Sequence, residues 1–479
     1  MTLKENRITP FGRKIVIRNS FHSLIQNSVI RLTMEIALLL AILAGIALLL
    51  TLILYFRIHA FIALLMASIL VGVLAGLDAE AVIGTISKGM GGTLGFVATV
   101  VGLGAIFGGI LEHSGGAKAV TNRLLTTFGE SKASFAMLLS GFIIAIPVFF
   151  DVAFIILVPV IYSLQRKTGK SLLLYAIPLL AGLAITHAFI PPTPGPVAVA
   201  DIIGADLGRV ILIGFLVGIP TALVSGLWYG KFIANKIHID APAPEDTPTP
   251  DAKLPSAGMI FAIIAVPILL IILNTMTKSG LLNIAEGSEL RNIILLIGHP
   301  FTALIIANLL AWWLLGIRQG YTREELYKIS TNALKPAGTI ILLTGAGGVF
   351  KQVLVDTEAG KQLAEMFTEM GLPIVVFAFV AAVLVRVLQG SATVAMITAA
   401  GLVAPVLASM SLSAAQLAAL VIAIASGASI LSHVNDSGFW LVSQYLGMNE
   451  KQTFRSWSMM TLILALTGFA AVMVIYPFL

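Results

Sequence analysis

Long apolar runs separated by short polar or basic segments fill almost the whole chain. They fall near residues 35–55, 60–76, 93–112, 134–164, 172–205 and 209–233, and again near 257–274, 296–317, 337–356, 373–409, 413–447 and 456–478. A single bilayer crossing needs about 20 apolar residues in a helix, so these runs predict membrane spans, and the longest are long enough to fold back on themselves. Four of them carry an interruption. The sharpest is Thr186-His187-Ala188-Phe189-Ile190-Pro191-Pro192-Thr193-Pro194-Gly195-Pro196, where four prolines and a glycine stop a helix through Leu173–Ile185. Each proline lacks an N–H and crowds the preceding turn. Non-helical backbone at membrane depth survives only inside protein or beside a wet cavity, and broken helices of this kind are where secondary transporters bind substrate and ions. A partner break is expected at Ser432–Trp440.

Composition narrows the class. Of the 479 residues, 58% are hydrophobic and 11% charged, with a mean hydropathy of +1.00. Soluble domains carry about 25% charged residues, so this chain cannot clothe a water-facing surface. It is expected to be an all-α polytopic membrane protein. The net charge of +6 sits in loops between spans, as positive-inside bias requires, and not on a nucleic-acid-binding face. The absence of cysteine excludes disulfides, thiolate metal sites and iron–sulfur clusters. No His-x-x-x-His spacing supports a metal centre, and no cofactor is implied. The Gly-rich run Gly102–Gly109 follows no strand and precedes no Lys-Ser/Thr, so it predicts close helix packing rather than a nucleotide loop.

The two halves repeat. Gly102, Gly104, Phe107 and Leu111 are matched by Gly345, Gly347, Phe350 and Leu354, each 243 positions later, and the same offset takes Gly195 to Gly438 and Gly204 to Gly447. Positive-inside counting places Arg57, Lys118, Arg123, Lys132, Arg166, Lys167 and Lys170 in the cytoplasm, which requires 134–164 to enter and leave on one side. Each half then has five crossings plus a re-entrant hairpin, and an odd number inverts the second half. The expected domains are a first inverted repeat over 34–235 (hairpin 134–164, broken helix 172–205), a cytoplasmic linker at 236–256, and a second repeat over 257–479 (hairpin 373–409, broken helix 413–447). Asp356, Glu358, Glu365 and Glu369 flank the second hairpin on the outside, while Arg318, Arg323, Lys328 and Lys451 fall inside. Residues 1–33 are basic and conflict with an outer N-terminus. A natural start at Met34, or a cytoplasmic basic arm with an additional interfacial or crossing element at 15–33, would each resolve the conflict.

Candidate chemistry lies at the four interruptions. Asp151 ends the turn Ile146-Pro-Val-Phe-Phe-Asp151; a membrane carboxyl is expensive and by default serves an ion, a proton or a substrate, with a structural counter-charge as the alternative. The second hairpin turns at Arg386-Val-Leu-Gln389-Gly390-Ser391-Ala-Thr393. Gln389, Ser391 and Thr393 offer neutral groups suited to polyols or to sodium, and Gly390 allows close approach. Such hydroxyls also bond their own backbone. Arg386 holds a carboxylate bidentately or neutralises Asp151 or Asp436. The second break, Ser432-His433-Val-Asn435-Asp436-Ser437-Gly438, is rich in turn formers with binding side chains. His187 and His433 stand at comparable places before the two breaks, either as ligands or as satisfied core residues.

At these residues the chain resembles the gluconate permease family, proton-coupled sugar-acid symporters within the ion transporter superfamily. The resemblance runs from about Met34 to Leu479 and is carried by His187…Pro191-Pro-Thr-Pro-Gly-Pro196, Gly347-Gly-Val-Phe-Lys-Gln-Val-Leu-Val-Asp356, Gln389-Gly-Ser-Ala-Thr-Val-Ala395 and Ser432-His-Val-Asn-Asp-Ser-Gly-Phe-Trp440. Asp151 stands where the gluconate pattern has Glu, and Thr193 where a His is common, which leaves another aldonate, glycerate or D-serine open as substrate. The resemblance implies a homodimer and an elevator movement of the hairpins and broken helices. The expected substrate site comprises His187, Thr193, Gly195, Arg386, Gln389, Gly390, Ser391, Thr393, His433, Asn435 and Ser437, with Asp151 and Asp436 coupling protons. The competing readings are sodium coupling through Asn435, Ser437, Ser391 and Thr393, a channel, and an intramembrane enzyme; neither a His-Glu-x-x-His nor a cysteine supports the last.

Overall fold

The computed structural model describes residues 37–38, 40–49, 51–52, 55–242, 254–278, 281–282, 284–357, 372–407, 410–433 and 436–479, without the side chains of residues 336, 388 and 389. The basic stretch 1–33, the Met34 start, the middle of the linker, and Glu358, Glu365 and Glu369 lie outside them. All regular elements among the described residues are helical. In chain order they are α1 (Leu40–Leu49), α2 (Ala60–Leu74), α3 (Ala79–His113), α4 (Gly116–Phe128), α5 (Ala133–Ile144), α6 (Phe150–Thr168), α7 (Leu173–Phe189), α8 (Pro194–Ile203) and α9 (Leu207–Ala234). There follow α10 (Ala257–Lys278), α11 (Glu289–Ile297), α12 (Pro300–Gln319), α13 (Arg323–Asp356), α14 (Ile374–Gln389), α15 (Ala392–Leu407), α16 (Ala414–Ala428), α17 (Ser437–Tyr445) and α18 (Glu450–Phe478). Seven helical stretches among the described residues are long and apolar enough to cross a membrane.

Two helices of more than 30 residues, α3 and α13, form the spine. They run antiparallel, and glycines let their backbones touch. A Cβ on Gly89 would stand 2.7 Å from the Val349 Cα, and one on Gly348 would stand 2.1 Å from Thr93 Oγ1. Where the start of α3 meets the end of α13, Thr85 Oγ1 donates to Asp356 Oδ2 at 2.8 Å and Gln352 Nε2 to Asp356 Oδ1 at 2.6 Å. Both helices extend well beyond the expected apolar runs at 93–112 and 337–356. Their polar first turns are stabilised by caps, from Asp78 on α3 and from a Thr322–Glu325 capping box on α13.

The offset of 243 recurs in the elements themselves. α8 and α17 begin at Pro194 and Ser437, and α9 and α18 at Leu207 and Glu450 behind the caps Asp206 and Asn449. Gly204 and Gly447 follow α8 and α17 at φ +76° and +63°, a conformation that only glycine adopts cheaply. The helix pairs α5/α6 and α14/α15 turn at Ala145–Phe149 and at Gly390–Ser391. Among the described residues, two helices have no counterpart in the apolar runs: α4, and α11, which buries no residue. The start of the linker does not hang free. Leu172 N–H donates to Ile239 O at 2.8 Å, and Gln165 Nε2 to Asp240 Oδ1 at 3.0 Å.

Candidate functional site

The four interruptions converge. A cavity of about 570 Å³ is lined by Phe149, Phe150 and Asp151 from the first turn, Gly195 from the first break, Gly390–Thr393 from the second turn and Asp436–Gly438 from the second break. The N-termini of α6, α8, α15 and α17 therefore all open onto one space. Each carries the partial positive charge of a helix N-terminus, so together they make an anion-attracting enclosure. The prolines dictate this locally. Ile190 is extended at φ −117°, ψ 114°, α7 stops at Phe189, and Pro194 restarts the chain as the first residue of α8. Pro191–Pro192 is a cis peptide. Across the cavity, a Cβ on Gly195 would stand 2.8 Å from Met396 Sδ of α15, so the first break and the second hairpin touch.

Charge is arranged asymmetrically. Arg386 Nη2 donates to Asp436 Oδ2 at 2.6 Å, and Arg386 Nε to Ile430 O at 3.3 Å. Asp436 also accepts from the Ser432 hydroxyl and, at 3.1 Å, from Gly438 N–H, capping α17. Among the described residues Arg386 Nη1 is buried with no partner. Asp151 lines the same cavity with no hydrogen-bond or ion-pair partner among the described residues, and it interacts electrostatically with Asp436.

Asp151, His187, Gly195, Arg386, Gly390, Ser391, Thr393, Asp436 and Ser437 all line the cavity. Thr193 instead turns inward. Its hydroxyl donates to Ile190 O at 2.7 Å, and the residue faces a neighbouring crevice with Pro147 and Pro192. The two histidines are not equivalent. His187 sits in the last turn of α7 with its ring 6.2 Å from that of Phe149 and its Nδ1 unpartnered among the described residues. His433 lies in the non-helical break, its Nε2 3.0 Å from Val387 O, away from the cavity wall. Asn435 and the side chain of Gln389 lie outside the described residues. Lys351 is half-buried and interacts electrostatically with Asp201 of α8. The sequence reading misses Trp457, which lines the cavity with its ring 5.6 Å from that of Phe150. An aromatic residue in an apolar run carries no signal that separates it from an ordinary membrane tryptophan.

The profile of the GntP family permeases matches residues 37–477. The chain is 44% identical over 400 residues to a low-affinity gluconate transporter of Escherichia coli (strain K12), covering 83% of this chain and 89% of that one. It is 36% identical over 412 residues to a gluconate permease of Pseudomonas aeruginosa, covering 85% and 90%. The Gnt-II system L-idonate transporter of Escherichia coli (strain K12) is 34% identical over 410 residues, covering 85% and 91%. Among solved structures, the Alcanivorax borkumensis YdaH transporter shares the fold at a TM-score of 0.65 and 15% identity, over 87% of this chain and 98% of that one. These relatives are transporters and not enzymes, and the many apolar helices make this a multi-pass protein of the bacterial inner membrane. With the match running from residue 37 to residue 477, the chain belongs to the GntP family of permeases.

Proposed function

We propose that the protein is a proton-coupled symporter for gluconate or a closely related sugar acid, working by an elevator movement. The observation that carries this is the cavity ringed by four helix N-termini, with Arg386, whose buried Nη1 has no partner among the described residues, and Asp151 both lining it. The substrate carboxylate binds Arg386 and the helix ends. Its hydroxyls meet Ser391, Thr393, Ser437 and His187. Asp436 is already committed to Arg386 and to the cap of α17, so the transported proton belongs to Asp151. Relatives that carry gluconate and L-idonate support a C6 aldonate.

The antiparallel pairing of α3 with α13, whose starts lie close to 243 positions apart, supports two repeats of opposite orientation. In this reading the hairpins and broken helices slide as a unit along α3 and α13, on close contacts such as Gly104 with Pro192 and Gly347 with Ile397. The protein works as a homodimer. Uptake of radiolabelled gluconate into proteoliposomes tests the coupling. Accumulation driven by an imposed pH gradient, abolished by a protonophore and indifferent to sodium, is the expected result. Accumulation that follows sodium instead would refute proton coupling.

A further inference from the structure

Ser432 opens the second break, and one helix holds all three of its polar groups. Its N–H donates to Thr461 Oγ1 at 3.0 Å, its carbonyl accepts from the Ser458 hydroxyl, and its side-chain oxygen accepts from Trp457 Nε1 at 2.6 Å. All three partners lie on α18, whose turn at Phe454–Ser458 is widened into a π-bulge, a feature concentrated at functional sites. Ser432 and Trp457 are buried. An indole N–H can only donate, so the Ser432 hydrogen is left for Asp436 Oδ2, which it meets. The same oxygen accepts Arg386 Nη2 at 2.6 Å. A continuous chain of hydrogen bonds thus runs from the last helix to the guanidinium in the second hairpin.

The first half of the molecule provides the contrast. At the offset of 243, Trp457 corresponds to Gly214 and Ser432 to Phe189. There α9 meets the first break through bare backbone, a Cβ on Gly214 standing 2.6 Å from Phe189 O. The repeat therefore supplies the contact, and only the copy that serves Arg386 has converted it into a polar clamp. A buried network of this kind is worth building where geometry must be held.

We infer that Trp457 is a positioning residue: through Ser432 and Asp436 it fixes the Arg386 guanidinium in the pose that receives the substrate carboxylate. This rests on the reading of Arg386 as the anion anchor, and the test separates the two. Full-length Trp457→Phe keeps a ring but removes the N–H; Ser432→Ala removes the relay; the double variant removes both. Two quantities are measured: the dissociation constant for gluconate, and amide hydrogen exchange of peptides spanning Ser432–Phe439 with no substrate present. Each single change is expected to weaken gluconate binding about tenfold, as removal of a supporting contact does, and to raise KM while Vmax stays within about twofold. Exchange across the break should speed up about tenfold, and the double variant should be no worse than either single one. If wild-type protein does not bind gluconate but exchange responds as stated, the clamp stands and the substrate assignment falls. Unchanged exchange in both variants, or losses that multiply in the double variant, overturns the clamp. Should Trp457→Phe fail to fold, Ser432→Ala decides alone.

Discussion

Arg386 and Asp436 meet at 2.6 Å with side chains only 5% and 14% exposed, yet they stand on elements about 50 residues apart, the end of α14 and the cap of α17. Neither charge is tolerable alone there. Removing one partner of a buried pair costs about 3–5 kcal/mol, because the other stays desolvated and unpaired. Asp436→Asn and Arg386→Gln should each lower the unfolding midpoint of the purified protein markedly, whereas the double variant should recover part of the loss. Arg386→Lys should keep the charge but lose the fork geometry. Its gluconate affinity should fall about tenfold or more while its fold is retained, a combination that calorimetric titration and thermal unfolding detect together.

Asp151 makes a different prediction. Replacement by Asn preserves shape and removes the exchangeable charge. Uphill accumulation of gluconate should vanish, while counterflow exchange, which needs no net proton movement, should persist. Undiminished accumulation in the variant would remove Asp151 from the coupling reaction.

The first break is legible in the sequence because proline chemistry is local: Pro191, Pro192, Pro194 and Pro196 stop a helix whatever surrounds them, and the second because Ser432, Asn435, Asp436, Ser437 and Gly438 are turn formers. The repeat is legible for a similar reason, since Gly204 and Gly447 are needed at positive φ. The lengths of α3 and α13 are not. Thr85 and Lys88 look like loop residues until their hydrogen bonds to Asp356 are seen. α4 and α11 escape a search for apolar runs because they are short and amphipathic, with Leu290, Ile293 and Leu296 of α11 on one exposed stripe. Side-chain direction is the other blind spot. Nothing local tells Thr193, which bonds Ile190 O, from Thr393, which lines the cavity.

That distinction can be tested. Thr193→Val removes an inward hydrogen bond, so it should cost about 1 kcal/mol of stability and leave the KM for gluconate close to wild type. Thr393→Val should do the reverse, raising KM with little change in the unfolding midpoint. Parallel uptake and thermal unfolding of the two variants would show whether the direction of these hydroxyls decides their role.

Close packing beneath the first hairpin gives a steric prediction. A Cβ on Gly108 would stand 2.0 Å from the carbonyl oxygen of Pro147, while one on Gly95 of the same helix meets nothing within 4 Å. Gly108→Ala must push the hairpin off α3, and overpacking of this kind costs about 1–3 kcal/mol. We expect a lowered unfolding midpoint and loss of uptake for Gly108→Ala, against neither for Gly95→Ala.

The central claim is that the two breaks and two hairpin turns enclose a single anion. A structure determined with gluconate at saturating concentration tests it most directly. The account predicts density for the acid among α6, α8, α15 and α17, its carboxylate within hydrogen-bond distance of Arg386 and its hydroxyls toward Asp151 and His187. Gluconate bound elsewhere, or bound here with Arg386 turned away from it, would contradict the account.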